Sequence, residues 1–173
     1  MTMDILFNGQ EIHWFGNGIY KATSGMPGYQ KPAFQCEEDS GPVPEGDYYI
    51  PLIEGSVAKD DGTGVCRLKP SWQIERIPRG ASAGACEPYW ANWGHNRVRF
   101  EPADIATKHK CVISRGGFYL HDSTKGYSHG CIEVQGSFFS SLRMYLKRTT
   151  KSRLTLKIQY IAGRATYGGT KSP

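Results

Sequence analysis

Gly117-Phe118-Tyr119-Leu120-His121-Asp122-Ser123-Thr124-Lys125-Gly126-Tyr127-Ser128-His129-Gly130-Cys131-Ile132-Glu133-Val134 reads as strand, turn, strand. An apolar and aromatic run, 118–120, leads through the small and polar residues 122–130 into a second apolar run. Two such strands lying together return His121 over Cys131. A thiol of ordinary pKa, roughly 8.5, is mostly protonated at neutral pH, so a nucleophilic cysteine needs an imidazole beside it. Gly130 removes a side chain where a substrate carbonyl would approach, and backbone N–H groups near it can receive an oxyanion. Spacing alone leaves this pair beside a plainer reading, a turn glycine next to a core cysteine. It also leaves His129 as a rival base, because residues two apart on a strand share a face.

The rest of the chain extends the β pattern. Leu154, Leu156, Ile158 and Tyr160 alternate with Thr155, Lys157 and Gln159, which predicts a strand with one buried face. Residues 5–7 and 11–15 around Asn8-Gly9 predict a hairpin. Shorter strands are expected at 18–23, 48–50, 72–77, 98–100 and 111–114, with long Gly- and Pro-rich connections at 24–46, 54–66 and 78–92. One helix is expected over 137–147, where Phe138, Phe139, Leu142, Tyr145 and Leu146 form one stripe, with Ser137 as N-cap and Lys147 and Arg148 at the negative end of the dipole. With 173 residues, 21 Gly and 12% aromatics, the composition suits one mainly β domain, placed at 1–162, followed by a polar, loose tail at 163–173.

The formal charge is +5, and all of the excess sits in the last forty residues, which hold eight Lys/Arg and no Asp/Glu. Such a surface can attract nucleic acid, anionic lipid or an anionic wall polymer, but a solvated face is the preferred reading. The amino terminus lacks the basic start and apolar run of a secretory leader, and no stretch approaches a membrane span, so a soluble product made in the cytoplasm is expected. The five cysteines, Cys36, Cys66, Cys86, Cys111 and Cys131, contain no C-x-x-C pair. If Cys131 is the reactive thiol, the other four form up to two disulfides in one of three pairings, or remain four buried thiols.

Ser128-His129-Gly130-Cys131 resembles the Ser/Thr-His-Gly-Cys signature of the YkuD-type L,D-transpeptidases, and His121 matches their upstream catalytic histidine. Further landmarks follow in order: Ala22-Thr23-Ser24-Gly25, Gly41-Pro42-Val43-Pro44-Glu45-Gly46-Asp47-Tyr48, and Trp93-Gly94 followed by Arg97-Val98-Arg99. They resemble the small DUF2778-like branch, which includes type VI secretion L,D-transpeptidase effectors. The resemblance implies an L,D-transpeptidase-type β-sandwich with one flanking C-terminal helix. It implies an antibacterial enzyme with L,D-carboxypeptidase and D-amino acid exchange activity on the tetrapeptide stems of peptidoglycan, secreted and active in the target-cell periplasm. The implied partners are stem peptides, a cognate immunity protein and a secretion-machine carrier; no cofactor, metal, nucleic acid or membrane insertion is expected.

Carried over by position, Cys131 is the nucleophile and His121 its base, oriented by the backbone carbonyl of Asp122. Ser128 shapes the loop, and the amides of Gly130 and Cys131 face the oxyanion. Three positions depart from the family pattern: the interval from His121 to Ser128 is short, Asp122 stands where Gly or Ser is common, and Glu133 where Arg or Asn is. Glu133 would repel a substrate carboxylate, recruit an amine, or pair with a basic neighbour. Arg97 and Arg99 are candidates for a peptide carboxylate or for strand salt bridges. His13, His95 and His109 read as surface or packing residues. A competing reading is a non-catalytic wall-binding module using the basic C-terminal portion with Trp72, Trp90 and Trp93; a papain-like amidase would place its Cys before its His.

Overall fold

The computed structural model describes residues 3–172, so Met1 and Thr2 of the amino-terminal reading and Pro173 of the tail lie outside the described residues. Ten strands follow the alternation of the sequence: β1 (Ile5–Phe7), β2 (Glu11–Trp14), β3 (Gly18–Ser24), β4 (Gly46–Pro51), β5 (Glu54–Val57), β6 (Ile74–Arg76), β7 (Asn96–Pro102), β8 (Phe118–His121), β9 (Ile132–Val134) and β10 (Arg153–Ile158). In β10 the predicted pattern is exact in its consequence: Leu154, Leu156 and Ile158 are buried while Arg153 is exposed. The β1–β2 hairpin turns one residue later than expected. Asn8 N–H bonds the Glu11 carbonyl, so Gly9 and Gln10 are the central pair, and Gly9 supplies the positive φ.

The strands run in the order β4-β10-β1-β2-β3-β9-β8-β7-β6-β5, and a further pairing of β4 with β7 closes the first eight into a barrel. The resemblance implied a sandwich of two sheets; the structure is mainly β with a closed eight-strand barrel. The two seven-residue strands explain the closure. Toward its start β3 pairs with β2 and toward its end with β9; β7 pairs with β8 through Arg97–Phe100 and with β4 through Glu101 and Pro102. Each therefore turns a corner and joins what would otherwise be two faces. An eight-strand barrel has an interior that side chains fill, here Ile5, Ile12, Ile50, Val98, Phe100, Leu120, Ile132 and Leu156 among others.

The described residues hold three α-helices: α1 (Glu87–Trp90), α2 (Ile105–Lys108) and α3 (Ser137–Leu146). In α3 Phe138, Phe139 and Leu142 are buried, and Phe138 packs against Trp14 and Tyr20 at ring distances of 5.7 and 5.4 Å. Truncating Phe138 to Ala would cost about 3–5 kcal/mol. The cap lies one residue before the expected one: Gly136 is the N-cap, with no side-chain bond, and Ser137 is already helical.

Two local expectations are corrected. Residues 111–113 are bends and Ser114 is irregular: Cys111 is held by a disulfide while Val112 and Ile113 both face solvent, which no strand alternation allows. The segment after Gly163, expected to be loose, is docked: Thr166 is buried and donates its hydroxyl to the Ser24 carbonyl, and Gly168 N–H bonds Thr23 Oγ1. No helix among the described residues is long and apolar enough to cross a membrane.

Candidate active site

The parallel pairing of β8 and β9 matches Leu120 with Ile132 and His121 with Glu133. Cys131 directly precedes β9, and its thiol takes a hydrogen bond from the Tyr119 backbone, two residues before His121 on β8. Leu120 and Ile132 belong to the barrel core, so alternation sends Tyr119, His121 and Glu133 to the opposite, outer face. Arg97 and Arg99 of β7 join them there, opposite His121 and Tyr119 respectively.

Cys131 is the free cysteine; the other four form the disulfides Cys36–Cys111 and Cys66–Cys86. This selects one of the three pairings and sets aside four buried thiols. Cys131 opens onto a cleft of about 110 Å³ lined by Glu38, Asp39, Arg115, Gly117, His129 and Gly130 among others. Burial pushes its thiol up to about 11, against a hydrogen bond from the Tyr119 backbone and the positive charges of Arg115, Arg97 and Arg99.

The turn ahead of Cys131 is held tightly. Ser128 is buried, its hydroxyl donates to the Cys131 carbonyl and accepts from Gly25 N–H at 3.1 Å, and Ser24 Oγ donates to the same carbonyl at 2.7 Å. Gly130 has φ +91° and a Cβ there would collide with the Arg115 guanidinium, so only glycine fits. This turn also corrects the strand argument for His129: residues 127–131 are not a strand. His129 is exposed and beside Tyr127, and it reaches Cys131 only as a wall of the cleft.

His121 is buried to 4% exposure. Its Nδ1 lies 3.1 Å from Ser123 Oγ, and Trp93 stacks edge-on at 5.5 Å. Burial drives the imidazole pKa down to about 3, with the charges of His129 and Arg97 acting the same way and a hydrogen bond to the Trp93 backbone opposing them. At neutral pH the pair therefore rests as thiol and neutral imidazole. That suits a base that takes the thiol proton during attack rather than a preformed ion pair.

Asp122, expected to act through its backbone carbonyl, uses its side chain to hold the neighbouring loop. Its carboxylate accepts from His95 N–H at 2.6 Å, Asn96 N–H at 2.7 Å and Asn96 Nδ2 at 2.8 Å. Arg97 and Glu133 are not open to a ligand. Arg97 is 1% exposed, pairs with Glu75 at 2.9 Å and lies between the Trp93 and Tyr119 rings. Glu133 is fully buried and pairs with no basic side chain among the described residues: it accepts from the Ser123 and Thr170 hydroxyls and from the amides of Lys125 and Gly126. Arg99 pairs with Glu101 and lies under Trp72.

A second apolar cluster, Ala58, Leu68, Ile77, Ala83 and Trp90 with Trp93 against it, forms a cap stapled by the Cys66–Cys86 disulfide. Trp93 brings this cap onto His121 and Tyr119. Of the three tryptophans of the wall-binding reading, Trp90 is buried with Nε1 on the Cys66 carbonyl, Trp93 packs at the site, and Trp72 is half exposed. Sequence reasoning missed Arg115 and Ser123. Arg115 is buried and donates to the carbonyls of Gln35, Gly41 and Pro42, across more than seventy residues. No local pattern signals such bonds; the position of Ser123, two after His121, was the only hint.

A protein-family description, the Tlde1 domain, matches residues 18–156, a span that contains both disulfides, His121, Cys131 and the cap. The chain belongs to the Tlde1 domain family. Tlde1 is a type VI secretion effector domain, which makes this protein an effector of that class. The match runs from the first residue of β3 into β10, so β7, β8, β9 and the thiol that precedes β9 lie within the Tlde1 region. No curated protein matches the sequence.

Proposed function

We propose that this Tlde1 protein is a cysteine-dependent acyltransferase acting on the tetrapeptide stems of peptidoglycan. The observation that carries the reading is that the free thiol, Cys131, stands at the start of β9 beside β8, the strand that ends in His121, and opens onto a cleft. In the proposed reaction Cys131 Sγ attacks the carbonyl joining the L-centre of meso-diaminopimelate to the terminal D-Ala, as its proton passes to His121. The oxyanion rests on backbone N–H groups at Gly130 and Cys131. The C–N bond breaks, the D-Ala amine leaves with the proton from His121, and a thioester remains.

Water then gives a tripeptide, and a free D-amino acid gives exchange; these two outcomes exceed cross-linking of a second stem. The cleft beside Cys131 is small, which favours a small acceptor over a second strand of wall. As a type VI effector the protein acts in a neighbouring cell, and an immunity protein guards the producer.

The test is mass spectrometry of tetrapeptide muropeptides treated with the oxidised protein and with Cys131→Ala. Tripeptide and D-amino acid-exchanged products from the wild type alone support the reading. Intact tetrapeptide under all conditions defeats it, and equal action by both proteins would point to a binding module.

A further inference from the structure

Glu133 is the feature the proposed chemistry leaves unexplained. A carboxylate with no exposed surface and no cationic partner is expensive unless hydrogen bonds satisfy it. Here four donors do so: the hydroxyls of Ser123 and Thr170 and the amides of Lys125 at 3.0 Å and Gly126 at 2.9 Å. Burial still raises its pKa, against those four bonds. Three of the four donors belong to the short connection between His121 and Ser128, so the carboxylate folds that connection around itself.

The fourth side of the arrangement faces the base. Ser123 has one hydroxyl proton and gives it to Glu133 Oε2, which leaves its oxygen to accept from His121 Nδ1 at 3.1 Å. All three side chains are buried, with exposures of 0% for Glu133, 3% for Ser123 and 4% for His121. We infer that Glu133, acting through the Ser123 hydroxyl, is the positioning residue that fixes the ring of His121 and offsets the charge it gains when it takes the Cys131 proton. The charged groups around the ring work against that charge: Arg97 across from it on β7 and His129 from the turn both disfavour an imidazolium, and only the hydrogen bond to the Trp93 backbone favours one. A negative group relayed through a hydroxyl supplies the compensation they withhold. Register sets Glu133 opposite His121 on the neighbouring strand, and the serine hydroxyl bridges the two side chains. The inference rests on Cys131 and His121 being the reactive pair, though not on the identity of the wall substrate.

The test reads the thiol itself. With the other four cysteines in disulfides, iodoacetamide labels Cys131 alone in the oxidised full-length protein. Labelling rates are measured from pH 6 to 10 for the wild type, Ser123→Ala and Thr170→Val. Ser123→Ala cuts the link to His121 and leaves Glu133 with three donors; Thr170→Val removes a different donor and leaves the link intact. Near pH 7, where His121 must take the proton, Ser123→Ala is expected to label about tenfold more slowly. The gap should close toward pH 10, where hydroxide replaces the imidazole, and Thr170→Val should follow the wild type throughout. Thermal melting confirms that each variant is folded at the labelling temperature. The inference is overturned if the Ser123→Ala profile superimposes on the wild type, lies below it by one constant factor at every pH, or is matched by Thr170→Val. Because no muropeptide enters the assay, a failure of the proposed substrate would leave this result readable.

Discussion

The two sides of the reactive face are built differently. On the Cys131 side, the loop carrying Glu38 and Asp39 and the segment carrying Arg115 are joined by the Cys36–Cys111 disulfide and leave a cleft open to solvent. On the His121 side, the cap stapled by Cys66–Cys86 lays Trp93 against the imidazole and leaves it 4% exposed. The Cys131 thiol is presented and the His121 ring is sealed. In the proposed reaction a substrate would meet sulfur first, with the imidazole kept in a buried setting where its resting state is neutral.

The sharpest way to break this contrast is Cys131→Ala, which should lower turnover on the order of 10⁴-fold while circular dichroism stays unchanged. His121→Ala should lower it by about 10³-fold, within the range that a positioned base supplies. If His129→Ala matched that loss and His121→Ala did not, the exposed histidine of the cleft would be the base. The expected effect of His129→Ala is under about threefold, because an exposed cleft-wall residue of this kind supplies none of the general-base term.

The disulfides test the two sides separately. They enclose sequence separations of 75 and 20 residues. Replacing Cys36 and Cys111 together by Ser should lower unfolding stability by about 4 kcal/mol, and replacing Cys66 and Cys86 by about 3 kcal/mol. Denaturant titration ranks the pair, and an equal or inverted ranking would show that the cap is coupled more tightly to the barrel than its loop length implies. Gly130→Ala should cost about 1–3 kcal/mol, through its positive φ and the collision with Arg115, and should reduce turnover with it.

The most gradual effect is that of pH on stability. His121 binds its proton only near pH 3 in the fold and near 6.5 when unfolded, so the unfolded chain holds more protons between those values. Stability should fall as pH drops through that window, by up to about 1.4 kcal/mol per unit from this one group. Cys131 works in the other direction: its thiol keeps its proton to about 11 in the fold, so stability should also fall as pH rises from 9 toward that value. Thermal melts of wild type and His121→Gln across pH 4 to 7 check the first slope, which the variant should flatten.

Much of the barrel was legible because strand alternation is a local signal. Leu154, Leu156 and Ile158 announce β10 within six residues, and Phe138, Phe139 and Leu142 announce α3 within five. Residues 111–114 misled for the same reason: Val112 and Ile113 look like strand, but a disulfide partner 75 residues away fixes Cys111 in a bend. The tail after Gly163 reads as loose because it is polar, yet Thr166 and Thr170 find their partners on β3 and β9.

By itself the sequence determined the Cys131 signature and its upstream histidine, the mainly β character, and the odd count of thiols, since each is carried by neighbours in the chain. Only the tertiary structure decided that the sheet closes into a barrel, which cysteines pair, that Arg97 and Glu133 are buried, and that Ser123 stands between Glu133 and His121. Those facts depend on which strand lies beside which and in what register. A one-residue shift of β9 against β8 would turn Glu133 into the barrel and away from the base.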